Sequence, residues 1–464
     1  MKKRLITAGC VLFWLVLWQI GACLLDQELL LVSPVRAVER LLELVPSAGF
    51  WRSVGFSAGR ILSGFGLGTV CGVTLALLAG KLRVVKLLLS PLISAVKAVP
   101  VASITVLALI WVTSRNLSVL ISFLITLPVV YSGMLEGLEN LDPKLSEMAR
   151  LFRVPPVRRF TRVYLSQLLP YFRNATRLAI GLSWKSGTAA EIIGIPSGSV
   201  GEKLYSAKIY LETADLFAWT IGVILLSWAS ERVFLLVTDI AVNAVSGRHF
   251  RGRTGEFCEL PPVSLNAVEI TKRYGEQTVL SGFSHEFPAG KTTAVMGISG
   301  CGKTTLLGIL TGLAAPDSGS VDGAALARFS AVFQEDRLCG NLTAEANIRL
   351  VTGNSRSAEE IDKALCAVGL EGCADKPVRE FSGGMKRRVA LVRALLAEYS
   401  VIVLDEPFKG LDETTRARVS SWCREMLTGK TAILVTHDLG DCEALSAAEV
   451  IELSAVSEPE QHTQ

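Results

Sequence analysis

Residues 297–305 read GISGCGKTT, and the longer stretch KTTAVMGISGCGKTTLLGIL has the pattern of a strand, a glycine-rich turn and a helix. In that context GxxxxGKT is a phosphate-binding loop, because successive backbone N–H groups at a helix N-terminus surround the anion. Gly297, Gly300 and Gly302 let the phosphates approach the backbone closely. From Leu265 onwards, short β-branched runs alternate with helical patterns, which predicts an α/β domain around this loop.

The composition indicates a second, very different domain. Of the 464 residues, 50% are hydrophobic and 19% are charged, and the mean hydropathy is +0.43, more than one soluble core requires. The net charge of +4 is small and the basic residues flank apolar stretches, so no nucleic-acid partner is expected. The ten cysteines form no CxxC pair, which suggests neither a disulfide framework nor a zinc site.

Six stretches of the first half are apolar over about 20 residues, the length of helix that crosses roughly 30 Å of hydrocarbon. We place these transmembrane helices near residues 5–25, 58–79, 87–112, 117–136, 174–195 and 214–238. The first has an alternative interpretation as a signal peptide, because IGAC at 20–23 resembles a lipoprotein cleavage box. The length of its apolar run favours a retained helix.

Lysine and arginine are concentrated in alternate loops, and this sets the predicted orientation. With the N-terminus inside, the cytoplasmic segments carry the basic residues of 2–4, 81–86 and 144–173, and the outer loops carry fewer. Six crossings return the chain to the cytoplasm near residue 240, where a polar linker over 246–264 leads to the α/β domain. We therefore expect a multi-pass protein of the cell membrane whose α/β domain faces cytoplasmic nucleotide.

A stripe of small residues marks the second predicted helix. Gly64, Gly68 and Gly72 recur every fourth residue and share one helix face. We expect the backbone of a neighbouring helix to approach closely along that face.

Two lysines lie within predicted membrane helices, Lys97 in the third and Lys185 in the fifth. A lysine in lipid is costly, so each is expected to face a cavity, a pathway or a partner. One interpretation is a cationic site for an anionic substrate. The alternative is a lysine that reaches the membrane interface, or one that pairs with Glu191.

The stretch VIVLDEP at 401–407 is an apolar strand that delivers two carboxylates at its end. After a phosphate loop, such a strand supplies Asp405 to a Mg²⁺ ion and Glu406 to the water that attacks the phosphate. Lys303 is predicted to neutralise the β- and γ-phosphates, and the Thr304 hydroxyl is predicted to ligate Mg²⁺. ATP and Mg²⁺ are thus the expected cofactors.

The stretch FSGGM at 381–385, followed by three basic residues, resembles the LSGGQ signature of the ATPase subunits of ABC transporters. The resemblance implies that Ser382, Gly383 and Gly384 bind the γ-phosphate of ATP held by the phosphate loop of a second copy. Met385 stands where that signature has glutamine, which leaves the rate of hydrolysis open. A helix N-cap serine before a glycine turn is the alternative interpretation of such a stretch taken alone.

Four more positions match the same family in order and spacing across 265–455. The resemblance implies that Tyr274 stacks on adenine, that Gln334 forms the Q-loop, that Asp412 lies at the ATPase dimer interface and that His437 contacts the γ-phosphate. The predicted catalytic residues are Glu406, His437 and Lys303, and the predicted metal ligands are Thr304, Gln334 and Asp405. The predicted nucleotide-binding residues are Tyr274, Gly297, Ser299, Gly300, Cys301, Gly302, Lys303, Thr304, Thr305, Gln334, Ser382, Gly383, Gly384 and Asp412.

Between the fourth and fifth predicted helices, residues 145–170 read LSEMARLFRVPPVRRFTRVYLSQLLP, too basic for lipid and too apolar for a free loop. This stretch resembles the EAA loop of binding-protein-dependent ABC importers, whose short helices dock in a groove of the ATPase. The resemblance assigns Glu147, Ala149 and Arg153 to this coupling loop, although Arg153 stands where the motif has glycine. The alternative is an amphipathic helix on the lipid surface.

The membrane half is similar to permeases of the nitrate, sulfonate and taurine importer group, most clearly in AEIIGIPSGSVGEKLY at 190–205. The stretch VFQEDRL at 332–338 is similar to the ATPases of that group. The resemblance implies an ATP-driven importer that takes a small anion from an extracytoplasmic binding protein. One chain supplies one phosphate loop and one signature, so a homodimer with about twelve membrane helices is expected. The alternatives are an exporter and a module that transmits force or a signal; the EAA-like loop disfavours both.

The predicted architecture is an all-α polytopic membrane domain of about six transmembrane helices, similar to type I importers, followed by an α/β P-loop ABC ATPase domain. We place the membrane domain at 1–245 with its coupling loop at 145–170, and the linker at 246–264. The ATPase domain follows at 265–455, and a polar tail at 456–464.

Overall fold

The computed structural model describes residues 2–25, 27, 29–246, 257–298 and 300–454. The chain divides into two compact units, one of residues 1–141 and 168–241 and one of residues 142–167 and 242–464. Most of the predicted coupling loop therefore groups with the C-terminal half of the chain. The predicted tail and residues 247–256 of the predicted linker lie outside the described residues.

Long helices form the described part of the first unit. Serine hydroxyls cap several of them: Ser33, Ser47 and Ser199 each accept a hydrogen bond from a backbone N–H of the first turn. These helices are α1 (Lys2–Leu25), α2 (Pro34–Leu44), α3 (Ala48–Lys81), α4 (Arg83–Ala98), α5 (Val101–Ala108) and α6 (Ser114–Glu139). The chain then forms three short elements that group with the second unit: α7 (Pro143–Leu151), α8 (Pro156–Arg158) and a π-helical turn (Arg159–Tyr164). It returns to the first unit within α9 (Leu165–Gly194), which is followed by α10 (Val200–Ile209) and α11 (Thr213–Ser246).

Three helices of the described part are long and apolar enough to cross a membrane: Ala48–Lys81, Ser114–Glu139 and Thr213–Val242. The pair α4 and α5 meets the same criteria together but is bent by 100°, and Gly9–Leu25 is a shorter apolar helix. The predicted span 174–195 lies in α9, which does not meet the criteria and carries Arg177, Lys185 and Glu191. Length and apolar composition thus identify three of the six predicted spans, or four with the bent pair counted as one.

The prediction of one continuous helix over 87–112 is wrong. The chain leaves the helical conformation at Val99 and Pro100, where ψ is 130° and 132°. Proline has no backbone N–H and disfavours the helical conformation at the residue before it, so α4 ends before this pair and α5 starts in a new direction. Pro91 lies inside α4 without ending it.

The expected close approach along the glycine stripe of α3 is confirmed, and the neighbour is α6. A Cβ atom on Gly64 would lie 2.3 Å from the carbonyl oxygen of Val119, and one on Gly68 would lie 2.7 Å from Cβ of Thr126. Any side chain at these two positions would therefore separate the helices. Contact of this kind is how helices associate where lipid removes the hydrophobic driving force.

A buried carboxylate joins three helices of the first unit. Glu191 of α9 is fully buried, and its Oε2 accepts hydrogen bonds from the Ser57 hydroxyl at 2.6 Å and from the backbone N–H of Gly201 at 3.3 Å. Gly201 lies in the first turn of α10, where the helix dipole favours a negative group. Because these are the partners of Glu191 and Lys185 is exposed, the predicted pairing of Lys185 with Glu191 is not found.

The described part of the second unit contains two sheets. A three-stranded antiparallel sheet has the order β2 (Gln277–Phe287), β1 (Leu265–Tyr274) and β4 (Ser318–Asp322). A five-stranded parallel sheet has the order β5 (Phe329–Val332), β6 (Val401–Asp405), β7 (Thr431–Val435), β3 (Thr292–Met296) and β8 (Glu449–Glu452). The strands β5, β6 and β7 are buried over their whole length, as expected for a parallel sheet covered on both faces.

Parallel pairing brings the carboxyl ends of the strands to one edge of the sheet, which is where ligands bind in open α/β sheets. The phosphate loop follows β3, Gln334 follows β5 and His437 follows β7, while Asp405 is the last residue of β6. The sheet thus collects the predicted site residues from distant parts of the sequence. The helices of this unit are α12 (Lys303–Leu310), α13 (Ala344–Thr352), α14 (Ala358–Ala367), α15 (Gly383–Leu396), α16 (Glu413–Leu427) and α17 (Leu439–Ala444).

Candidate functional site

A cavity of about 770 Å³ lies at the carboxyl edge of the parallel sheet. It brings together most of the residues that the sequence assigned to nucleotide, metal and catalysis. The lining residues are Tyr274, Gln277, Val279, Gly297, Ile298, Gly300, Gly302, Lys303, Thr304, Thr305, Gln334, Asp405, Glu406 and His437. The predicted residue Ser299 lies outside the described residues, and Cys301 is buried beneath the loop.

The phosphate loop has the backbone shape that its glycines permit. Gly300 and Gly302 have φ of 87° and 100°, in the left-handed region. A side chain on Gly302 would also meet Val279, because its Cβ would lie 2.9 Å from a Val279 methyl carbon. The Lys303 ammonium donates hydrogen bonds to the carbonyl oxygens of Gly297 at 2.7 Å and Ile298 at 2.8 Å, which holds its positive charge over the loop.

A buried carboxylate and a hydroxyl form the candidate metal site. Thr304 Oγ1 lies 3.5 Å from Asp405 Oδ2, and Gln334 lines the same cavity. Burial, with the nearby negative charge of Glu406, raises the pKa of Asp405 to about 6. The described residues hold no cluster of three or more His, Cys, Asp or Glu side chains suited to a metal. The donors that line the cavity here, one carboxylate, one hydroxyl and one amide, are of the oxygen type that fits Mg²⁺, which takes one or two carboxylates and completes its shell with water and phosphate.

Glu406 occupies a strained backbone position beside the candidate metal site. Its φ is 47°, which is uncommon for a residue with a side chain and costs free energy that a functional site retains. Its carboxylate lies 2.8 Å from Lys409 Nζ and 3.3 Å from His437 Nδ1. Lys409, with a smaller contribution from His437, lowers the pKa of Glu406, so the group is a carboxylate at neutral pH.

The signature residues lie apart from this cavity. Ser382 is the N-cap of α15 and accepts a hydrogen bond from the backbone N–H of Met385, and Gly383 and Gly384 form the first turn. Asp412 caps α16 in the same way, and its hydrogen bonds with Thr415 and Thr414 hold its pKa well below the usual range. None of the residues predicted at 382–384 or 412 lines the cavity.

The predicted coupling residues pack within the second unit, where α7 contacts the segment that follows β5. Glu147 pairs with Arg337 at 2.9 Å, and Lys144 pairs with Glu335 at 2.6 Å. Ala149 is fully buried in the same apolar cluster as the strands of the ATPase half. Arg153, with φ of 51°, donates a hydrogen bond to the carbonyl oxygen of Ala327 at 3.0 Å.

The two lysines of the predicted membrane helices differ in their surroundings. The Lys97 ammonium donates a hydrogen bond to the Ser132 hydroxyl at 2.7 Å. Lys185 lines a second cavity, of about 720 Å³, within the first unit. Its walls are largely apolar and include Trp184 and Trp228. They also carry a second lysine, Lys208, and a carboxylate, Glu231, which pairs with Arg177 at 2.8 Å.

The sequence did not assign a role to Arg387, which the structure places at the centre of the site's framework. This buried side chain donates hydrogen bonds to the carbonyl oxygens of Phe333, Asp405, Glu406 at 2.6 Å and Pro407 at 3.2 Å. It also pairs with the Asp336 carboxylate at 3.2 Å. The guanidinium thus joins the signature helix α15 to the ends of β5 and β6. Only the basic run after FSGGM marked it in the sequence.

We predict that Arg387→Met destabilises the ATPase half more than Lys386→Met, which removes the neighbouring charge of the same basic run. Without the guanidinium, several buried carbonyl oxygens and a carboxylate lose their donor, at a cost of roughly 3–5 kcal/mol for breaking a buried ion pair. Thermal unfolding of the purified full-length variants measures the difference. Equal unfolding midpoints for the two variants would show that Arg387 does not hold the framework.

Two family models match the chain. Residues 280–409 match the family "ABC transporter", and residues 68–248 match "Binding-protein-dependent transport system inner membrane component". The first match contains the phosphate loop, the signature and Glu406. The second begins within α3 and contains all the helices from α4 to α11.

Named relatives and solved structures resemble the C-terminal half. The chain is 37% identical over 238 residues to "Aliphatic sulfonates import ATP-binding protein SsuB 3" of Paraburkholderia xenovorans, which covers 50% of this chain and 92% of the relative. It is 40% identical over 194 residues to "Aliphatic sulfonates import ATP-binding protein SsuB" of Pectobacterium atrosepticum, with 40% and 71% covered. The "Dimeric Structure of MJ0796, a Bacterial ABC Transporter Cassette" matches with 28% identity and a TM-score of 0.37 over 41% of this chain and 94% of that one.

The geometry of the cavity, the two family models and the named relatives all point to one family. The phosphate loop, the strand-end carboxylates and the signature helix occur in one α/β domain, and a helical domain of the permease family precedes it. The chain belongs to the ABC transporter family, and it joins in one polypeptide a membrane permease domain of the binding-protein-dependent type and an ATPase domain that binds nucleotide and couples ATP hydrolysis to transport.

Proposed function

We propose that this protein imports a small anion of the nitrate, sulfonate or taurine kind and receives it from an extracytoplasmic binding protein. Two findings support this direction and this substrate class. The permease domain matches components of binding-protein-dependent systems, and the relatives of the ATPase domain bear the name of aliphatic sulfonate import proteins. The union of such a permease with such an ATPase in a single chain is the observation that carries the proposal.

We propose that the phosphates of ATP lie on the loop after β3, with the adenine against Tyr274, which is half exposed at the rim of the cavity. Lys303 neutralises phosphate charge, and the backbone N–H groups of the loop surround the same anion. Thr304, Gln334 and Asp405 are the proposed ligands of Mg²⁺. When bound, that ion would stabilise the negative charge that develops on the phosphate oxygens during hydrolysis.

Hydrolysis in this proposal depends on Glu406 and His437. The Glu406 carboxylate, kept ionised by Lys409, accepts a hydrogen bond from the attacking water and orients it. His437 lies against the same carboxylate and lines the cavity, where its other ring nitrogen is available to the γ-phosphate. The strained backbone of Glu406 supports this role, because such strain is retained where a side chain must hold an exact position.

We propose that the working unit is a homodimer in the cell membrane, with the ATPase domains in the cytoplasm. Ser382, Gly383 and Gly384 begin α15 away from the cavity of their own chain, so in this proposal they bind the ATP of the other copy. In this proposal Asp412 lies at the same interface between the two ATPase domains. A ligand held between two copies favours their closed arrangement by its differential affinity, and that preference drives the permease between its states.

We propose that the cavity of about 720 Å³ in the first unit forms part of the substrate path. Lys185 and Lys208 supply positive charge, and the two tryptophans supply apolar walls. Such a lining suits an anion with a short apolar body, such as an alkanesulfonate. Lys97 is a second candidate, but its hydrogen bond to Ser132 also gives it a structural role.

We predict that Glu406→Gln retains ATP binding and loses about 10²–10⁴-fold in turnover, because the attacking water loses the base that orients it. Phosphate release and the binding of a fluorescent ATP analogue, both measured on purified protein in nanodiscs, separate the two effects. Glu425→Gln, an exposed position in α16, is the matched control. Near-normal phosphate release by Glu406→Gln would remove this residue from the proposed role.

We predict that cells producing the chain with its binding protein take up radiolabelled taurine or butanesulfonate, and that Lys185→Ala lowers this uptake by about tenfold or more. The loss corresponds to one charge-assisted contact of roughly 1.5–3 kcal/mol. Lys81→Ala removes an exposed lysine elsewhere in the membrane unit and is the control. Unchanged uptake in Lys185→Ala would end its substrate role. Efflux, or ATP hydrolysis with no solute movement, would favour the exporter or the force-transmitting module.

A further inference from the structure

We propose that in the assembled homodimer residues 142–167, which contain most of the coupling loop predicted at 145–170, engage the ATPase domain of their own polypeptide and not that of the partner. The inference rests on the proposed homodimer. Two copies of one chain offer two identical ATPase surfaces, so the loop has two possible partners. Which of the two it takes decides whether each permease half is driven by its own ATPase.

The loop and the ATPase half share one apolar core. Leu145, Met148 and Ala149 of α7 are buried, and so are Phe152 and Val163 after it. They belong to the same continuous cluster of buried side chains as strands β3, β5, β6 and β7. Burial of this kind stabilises a contact by about 25 cal/mol per Å² of apolar surface removed from water. An amphipathic helix on the lipid surface, the alternative for this stretch, would not bury these residues in the ATPase core.

Two neighbouring ion pairs set the register of the contact, because α7 supplies the cation to one pair and the anion to the other. On α7 the cation Lys144 precedes the anion Glu147, whereas on the facing segment the anion Glu335 precedes the cation Arg337. The pairs are therefore satisfied only when Lys144 meets Glu335 and Glu147 meets Arg337. Reversal of the helix would place like charges together, which is disfavoured.

Hydrogen bonds from side chains to backbone carbonyl oxygens extend the same contact. The Arg158 guanidinium donates to the carbonyl oxygen of Leu350 at 3.4 Å, and the Asn341 amide donates to the carbonyl oxygen of Ser166 at 2.9 Å. Gly353 makes room for Arg158, because a Cβ atom there would lie 2.8 Å from both terminal nitrogens of the guanidinium. The φ of Gly353 is 63°, a second reason for glycine.

A second attachment binds the polypeptide to the same ATPase domain just before β1. The guanidinium of Arg356 lies 3.4 Å from the ring centroid of Phe257, and Glu259 forms an ion pair with Lys430. Ten residues, 247–256, separate this attachment from α11, and that many residues reach at most about 40 Å. A short tether gives the loop a high effective concentration of its own ATPase domain, whereas the partner's domain has no such advantage.

Charge reversal tests the choice of partner. Glu147→Arg and Arg337→Glu each place like charges at one ion pair, and the chain that carries both restores an opposite pair. Hydrogen exchange of the α7 amides reports whether the loop is seated. We expect several-fold faster exchange in each single variant and near-normal exchange in the double variant. Arg273→Glu, an exposed charge reversal in β1, should leave α7 unchanged.

Heterodimers of the two single variants, isolated through two different affinity tags, distinguish the arrangements. Within each chain the charges are mismatched, so fast exchange of α7 in the heterodimer supports engagement of the own ATPase domain. Between the chains the charges match, so restored slow exchange would overturn the inference. If no tagged heterodimer forms, the proposed homodimer fails instead, and the double variant still reports on the pairing within one chain.

Discussion

The two ion pairs between α7 and the segment after β5 are the contact on which the proposed coupling depends. Lys144 and Glu147 lie three positions apart on the helix, and Glu335 and Arg337 receive them immediately after Gln334. The same short segment therefore carries the partners of the loop and a side chain of the nucleotide cavity. We propose that a displacement of α7 is passed through this segment to the wall of that cavity, so that the loop responds to bound nucleotide.

The opposite side of this segment is held by buried arginines of α15. Arg387 binds the Asp336 carboxylate, and Arg393 donates hydrogen bonds to the carbonyl oxygens of Asp336 at 3.0 Å and Arg337 at 2.6 Å. Burial lowers the pKa of Arg393 to about 10, which still leaves it charged at neutral pH. Since α15 begins with the signature at Ser382, one series of contacts runs from the loop to the residues proposed to bind the partner's ATP. The planar guanidinium suits such a junction because it serves several acceptors at once.

Much of the nucleotide site is predictable from the sequence because its residues occur in short motifs at the ends of predicted strands, and a parallel sheet brings such ends together. The framework is not predictable in the same way. Arg387 bonds to Phe333, 54 positions away, and Glu191 bonds to Ser57, 134 positions away, and no local pattern indicates either contact. The break at Pro100 was missed for a different reason: apolar composition continues through it, and a proline alone does not show whether a helix ends, since Pro91 lies inside α4 without ending it.

Zero-length carbodiimide cross-linking of the membrane-reconstituted protein tests the seating of the loop most directly, because it joins an amine to a carboxylate only where the two are in contact. Lys144 Nζ lies 2.6 Å from the Glu335 carboxylate. The account predicts an amide bond between the two in the electrophoretic band of the single chain, lost in Glu335→Gln. Its absence from the wild-type protein, or its presence only in a band of two covalently joined chains, would contradict the account.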